Sequence, residues 1–152
     1  MKIGEFLRED LVLANLTAQD KAGALAELCG ALARVHHLDA SKLEDVLFER
    51  EKLGSTGIGE GVAIPHGKLA GLPSLLAVFG RSPGGVEFQA IDGKPTHLFF
   101  VLFAPENSAG IHLKALARIS RLFRNASLRQ AIMNAPDAKA IFTLISEEDA
   151  RY

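Results

Sequence analysis

The stretch Leu98-Phe99-Phe100-Val101-Leu102-Phe103-Ala104 most narrows what this chain can become. It is apolar at every position, so no alternation separates a wet face from a dry one. It is far too short to span a bilayer, and Pro105 stops it. A strand that is apolar on both faces has to be covered on both. The run, taken with Thr96 and His97 ahead of it, is therefore expected to be the central strand of a sheet between two helical layers.

The flanking patterns agree. Ile3, Phe6 and Leu7 can form one amphipathic turn, and Leu11 to Leu16 reads as a short buried strand. Leu25, Leu28, Cys29 and Leu32 recur at helical spacing and predict a helix over 18–36, capped by Thr17 with Asp20 in its first turn. Ser41-Lys42-Leu43-Glu44 has the capping-box pattern and opens a second helix, with Leu43, Val46, Leu47 and Arg50 on its inner face. Val62-Ala63-Ile64 reads as a strand ended by Pro65, and Leu75 to Phe79 as another followed by Gly80. Val86-Glu87-Phe88 alternates, and Asp92-Gly93 is a hairpin signal leading into the central strand. Past Pro105 a helix places His112, Ala115, Leu116, Ile119 and Phe123 on one face. Ser127 caps a short helix, and Asp137 a last one with Ile141, Leu144 and Ile145 inward. Helices, then strands, then helices predict an α/β chain: a three-layer α/β/α sandwich with a central mixed sheet. No repeat or linker-like tract interrupts the 152 residues, so one domain over 1–152 is expected.

Composition removes several functions. The net charge of −1 gives no electrostatic footprint for nucleic acid or an anionic membrane. Cys29 is the only cysteine, which excludes an internal disulfide and fits a reducing compartment. Its place in a helical apolar stripe reads as a small buried residue. His36 and His37 end the same helix as cations favourable at a helix C-terminus. The first ten residues carry acids where a secretory leader would be apolar, so a cytoplasmic protein with no membrane insertion is expected.

The chemistry-bearing stretch runs from Glu49 to Gly67 and holds five of the fourteen glycines, followed by His66 set between Pro65 and Gly67. A packed core does not need that composition, because each glycine costs entropy to order and buries nothing. Glycine-rich backbone can approach an anion and aim N–H groups at it. A neutral imidazole offers one nitrogen lone pair for attack on phosphorus. The protein's share of phosphoryl transfer is positioning and charge stabilisation. Arg50 can supply a bidentate cation, Pro65 fixes the approach to His66, and Gly67 leaves room for a partner to dock. A structural histidine is the rival reading, as is a metal shared by His66 and His112, although no HxxxH or CxxC spacing supports it.

Two other glycine motifs fail on context. Gly54-Ser55-Thr56-Gly57-Ile58-Gly59 follows a helix and leads to a strand, the reverse of a dinucleotide-binding turn. Gly61 to Gly67-Lys68 has five intervening residues, not the four of a P-loop, and Leu69 stands where Ser or Thr is required. No GxSxG turn is present for a serine hydrolase.

Glu49-Arg50-Glu51, Gly54 to Gly59, Gly61-Val62-Ala63-Ile64-Pro65-His66-Gly67 and His112-Leu113-Lys114-Ala115-Leu116-Ala117 together resemble the IIA domain of the phosphoenolpyruvate:sugar phosphotransferase system, of the fructose/mannitol type and its nitrogen-regulatory branch. The resemblance covers nearly the whole chain. It implies that His66 accepts a phosphoryl group from an HPr-like phosphocarrier, with no metal and no cofactor. It implies His112 as the second site histidine and Arg50 as the residue completing the pocket, with Ser55, Thr56, Gly57, Gly59 and Gly67 as the phosphate-binding loop. A stand-alone chain with Phe103-Ala104-Pro105-Glu106-Asn107-Ser108 before the second histidine looks more like the regulatory branch, which controls target proteins through its phosphorylation state. The alternative is a sugar-specific component passing phosphate to a IIB protein.

Overall fold

The computed structural model describes residues 1–152. Two short 3-10 turns, Ile3–Glu5 and Glu9–Leu11, precede β1 (Val12–Leu13), α1 (Lys21–His36) and α2 (Ala40–Glu51). There follow β2 (Gly57–Gly59), β3 (Val62–Ala63), β4 (His66–Leu69), β5 (Leu76–Val86) and β6 (Thr96–Pro105). Helices α3 (Ala109–Phe123), α4 (Ala126–Asn134) and α5 (Ala138–Asp149) complete the chain.

The apolar run is β6, and it lies at the centre of a six-stranded mixed sheet ordered β1-β5-β6-β3-β2, with β4 also on β6. Its side chains divide by parity. Leu98, Phe100, Leu102 and Ala104 enter an apolar layer with Ala115, Ile119 and Phe123 of α3, Ile132 of α4, and Ile141 and Ile145 of α5. Phe99, Val101 and Phe103 enter the opposite layer, with Leu25, Leu28 and Leu32 of α1 and Leu43 and Leu47 of α2. The expected three-layer α/β/α sandwich with a mixed sheet is what forms.

β3 and β4 behave as one strand broken in the middle. Val62 pairs with Leu98 and Ala63 with Phe99, while His66 pairs with Leu102 and Gly67 with Phe103, all parallel and in the same register. Pro65 has no N–H to give the ladder. Its carbonyl still accepts from the Leu102 N–H at 2.9 Å.

Several boundaries differ from the expectations above. The helix expected over 18–36 starts at Lys21, and Asp20, not Thr17, caps it by accepting from the Gly23 N–H. The cap of α2 is Asp39 rather than Ser41, and that of α4 is Asn125 rather than Ser127, each through its short polar side chain. Asp137 caps α5 as expected. The strand expected over 11–16 is only Val12–Leu13, paired parallel to β5. β5 runs past Gly80 to Val86, so the antiparallel β5–β6 connection is a wide loop rather than a two-residue hairpin. Asp92-Gly93 is a turn within that loop, where Asp92 accepts from the Lys94 N–H. No helix is long and apolar enough to cross a membrane.

Candidate functional site

His66 opens β4, directly after the Ile64-Pro65 break. Val62 and Ile64 belong to the layer under α3–α5 and Ala63 to the layer under α1–α2. Strand alternation therefore sends the His66 side chain toward α3 and the Gly67 position toward α2. The His66 and His112 ring centroids are 5.6 Å apart, edge to face. A Cβ built on Gly67 would lie 2.3 Å from Val46 Cγ1 on α2. The room that Gly67 leaves is thus filled by Val46 of the same chain.

His66 Nδ1 is 2.7 Å from the Ile64 carbonyl oxygen. A carbonyl can only accept, so Nδ1 carries the hydrogen, and in the neutral ring Nε2 keeps the lone pair. Arg50, in the last turn of α2, donates Nε–H to that Nε2 at 3.3 Å and Nη1–H to the Gly54 carbonyl at 2.9 Å. Burial pushes the His66 ring below the ordinary histidine pKa and outweighs the Ile64 hydrogen bond, which raises it. The Arg50 charge lowers it further and Glu51 opposes that. Burial, followed by the charges of His66 and Lys68, also lowers His112. Both rings are thereby kept neutral at pH 7.

His112 is 8% exposed, and its Nε2 has no hydrogen-bond partner in the chain. Such a buried, unpaired nitrogen is costly unless something else satisfies it. A cavity of about 180 Å³ is lined by Arg50, Ser55, Thr56, Ile58, Ile64, His66, Leu116 and Ser120. That volume suits one small anionic group held by the Arg50 cation. Larger concavities exist, the largest of about 550 Å³ beside Lys114, Arg118, Arg121 and Arg124, but it contains no histidine.

Of the residues singled out in the sequence, the fold brings together His66, His112, Arg50, Ser55 and Thr56. Gly57, Gly59 and Gly67 do not line the cavity. The Gly57 N–H is already bonded to Ser55 Oγ, and Gly57 packs on Ala90. Gly59 has φ +93°, which favours glycine, and ends β2 beside Asp92. No group of three His, Cys, Asp or Glu side chains stands together in metal-binding geometry. Ser120 was missed, although it shares a helix face with His112 and Leu116 at i, i+4 and i+8, a spacing that could have found it.

The sequence pattern of the family described as phosphoenolpyruvate-dependent sugar phosphotransferase system, EIIA 2, matches residues 5–148. A nitrogen regulatory protein of Bradyrhizobium diazoefficiens is 38% identical over 146 residues, covering 96% of this chain and 95% of that one. A fructose-specific EIIABC component of Bacillus subtilis is 35% identical over 150 residues, covering 98% of this chain and 24% of that longer protein. The crystal structure of nitrogen regulatory protein IIA-Ntr from Neisseria meningitidis superposes with a TM-score of 0.88 at 37% identity, covering 94% of this chain and 98% of that one.

Proposed function

The chain belongs to the EIIA 2 family of the phosphoenolpyruvate-dependent sugar phosphotransferase system, and from that premise we propose that His66 is its phosphoryl acceptor. The observation that carries the proposal is the pairing of His66 Nδ1–H with the Ile64 carbonyl, which leaves Nε2 as the nucleophile beside Arg50. The donor is a phosphohistidine on an HPr-like carrier protein. His66 Nε2 attacks phosphorus, the new N–P bond forms as the donor's N–P bond breaks, and the donor imidazole leaves with that electron pair. No net proton or redox change is required, and the Nδ1 hydrogen stays on His66.

Arg50 gives up its Nε2 acceptor when the lone pair enters the N–P bond, and its fork is then free to meet the equatorial oxygens. The unpaired His112 Nε2, on the ring packed against His66, is placed to supply a further contact to the transferring group, while the Ser55 and Thr56 hydroxyls are already donated to the Phe88 carbonyl and to Glu51. The whole of 1–152 acts as one IIA unit in the cytoplasm.

The nitrogen-regulatory reading is favoured, because both the Bradyrhizobium and the Neisseria relatives carry that name and are matched nearly end to end. Phosphate on His66 adds up to about two negative charges at the site, which changes the affinity of partner proteins docking there. The second reading, a sugar-specific component that hands phosphate to a IIB protein, is supported by the fructose-specific Bacillus relative.

Intact-protein mass spectrometry after incubation with phosphoenolpyruvate, enzyme I and an HPr-type carrier tests the proposal. One acid-labile phosphoryl group is expected on the wild type and none on folded His66→Ala. Uptake by His66→Ala would overturn it. Supplying the phosphorylated protein with a IIB domain separates the two branches, since only the sugar-specific reading expects onward transfer.

A further inference from the structure

Glu51 is out of place by local rules. It is the last residue of α2, where the helix dipole disfavours an acid, and its side chain is only 5% exposed. It is held by three donors. Lys21 Nζ of α1 lies 2.9 Å from Oε1, the Thr56 N–H donates to the same oxygen at 3.2 Å, and the Thr56 hydroxyl donates to Oε2. Lys21 is itself fixed, 4.8 Å over the Phe88 ring.

Thr56 continues the chain of contacts. Its carbonyl accepts from the Ile64 N–H at 3.0 Å, and the Ile64 carbonyl accepts from His66 Nδ1–H. An unbroken hydrogen-bonded path thus runs from Lys21 through Glu51, Thr56 and Ile64 to the imidazole. It crosses the one place where the β3–β4 ladder is interrupted by Pro65, so the Ile64 peptide lacks the full strand pairing that would otherwise hold it.

We propose that the last two residues of α2 grip both nitrogens of His66: Arg50 directly at Nε2, and Glu51 through Thr56 and Ile64 at Nδ1. Glu51 and its anchor Lys21 are then positioning residues that hold the ring orientation and the Nδ1–H tautomer. Neither lines the cavity, so neither touches the transferring group. The proposal rests on His66 being the phosphoryl acceptor, but its geometric half is measurable without any donor. It also accounts for an acid standing beside a site that must admit an anion, since Lys21 balances its charge.

The test uses full-length protein with ¹⁵N-labelled histidine, as wild type, Glu51→Gln, Lys21→Met and Lys21→Arg. Long-range ¹H–¹⁵N spectra of His66 report which nitrogen bears the hydrogen. Melting curves identify variants that stay folded. The wild type and Lys21→Arg are expected to show Nδ1–H alone, while Glu51→Gln and Lys21→Met populate the Nε2–H tautomer. Phosphoryl uptake should fall about tenfold in kcat with the KM for the donor carrier unchanged, the mark of a misplaced nucleophile. If Glu51→Gln does not fold, Thr56→Val against Thr56→Ser reads the same link at its next joint. An unchanged His66 tautomer in the folded variants overturns the proposal whatever the rates do. A changed tautomer in a protein whose wild type takes no phosphoryl group sustains the positioning role and refutes the acceptor reading instead.

Discussion

Replacing Gly67 by alanine should misalign the site from its hidden side. The new methyl carbon would start 2.3 Å from Val46 Cγ1, whereas carbon atoms in contact settle about 3.5–4.0 Å apart. Between about 1.2 and 1.7 Å of relief is therefore needed. Val46 is β-branched on a helix and strongly prefers one rotamer, so it does not simply swing away. Most of the relief has to come from moving α2 away from β4. Arg50 lies one turn further along α2, and its Nε is already 3.3 Å from His66 Nε2. A shift of about 1 Å at a reacting geometry can cost about a hundredfold in rate. Overpacking of this kind also costs about 2 kcal/mol, which for a chain of this length lowers the melting temperature by about 6 °C. Gly67→Ala, Val46→Ala and the double variant should be compared by melting and by initial rate of phosphoryl uptake. Gly67→Ala alone is expected to be slow and less stable, and the double variant to recover most of the rate. A Gly67→Ala protein that transfers at the wild-type rate, or a double variant that recovers nothing, would refute the argument.

Three further outcomes follow from the same geometry. Arg50→Lys keeps the charge but cannot hold the Gly54 carbonyl and face His66 with the same planar fork, so uptake should fall by about a hundredfold while the melting temperature changes little. The folded pKa values of His66 and His112 lie below the ordinary 6.5, so their neutral burial supports the fold above that pH, and the support is lost as pH falls through the lowered values. Urea midpoints should therefore drop between pH 8 and pH 5, less steeply in His66→Ala, and uptake should hold its rate below pH 6.5 before declining. Asp149 accepts from the Ile3 N–H at 2.7 Å and from Arg118 Nε at 2.5 Å, tying the N-terminal turn and α3 to α5. Asp149→Ala strands both donors and should cost about 3 kcal/mol, read as a melting temperature lower by about 9 °C.

The layering was legible because β6 is apolar at every position, and burial on two faces leaves no other arrangement for it. β4 was not legible. His66-Gly67-Lys68-Leu69 has neither alternation nor β-branched residues, and its pairing with β6 is a tertiary event. Gly80 misled in the other direction. A Cβ there would lie 2.7 Å from Leu28 Cδ2 and 2.8 Å from Leu16 Cδ1, so the glycine marks a close approach of α1 within β5, not its end. The caps of α1, α2 and α4 shifted because several short polar residues compete within a few positions and only tertiary geometry chooses among them.

At the site, the residue types pointed to His66 and Arg50, the family resemblance added His112, and their juxtaposition needed the fold. Glu51 was quoted in the same motif but given no role, since its partner Lys21 lies on another helix and its link through Thr56 to Ile64 closes only in the fold. Of the glycines read as a cradle of free N–H groups, Gly57 has its N–H bonded to Ser55, and the Gly67 position packs against Val46.

The most direct measurement is NMR of the phosphorylated protein with ¹⁵N-labelled histidine, resolving the nitrogen joined to phosphorus. The account expects a single phosphoryl group on His66 Nε2, with Nδ1 still protonated and facing the Ile64 carbonyl. Phosphorus found on Nδ1 of His66, or on His112, would contradict it.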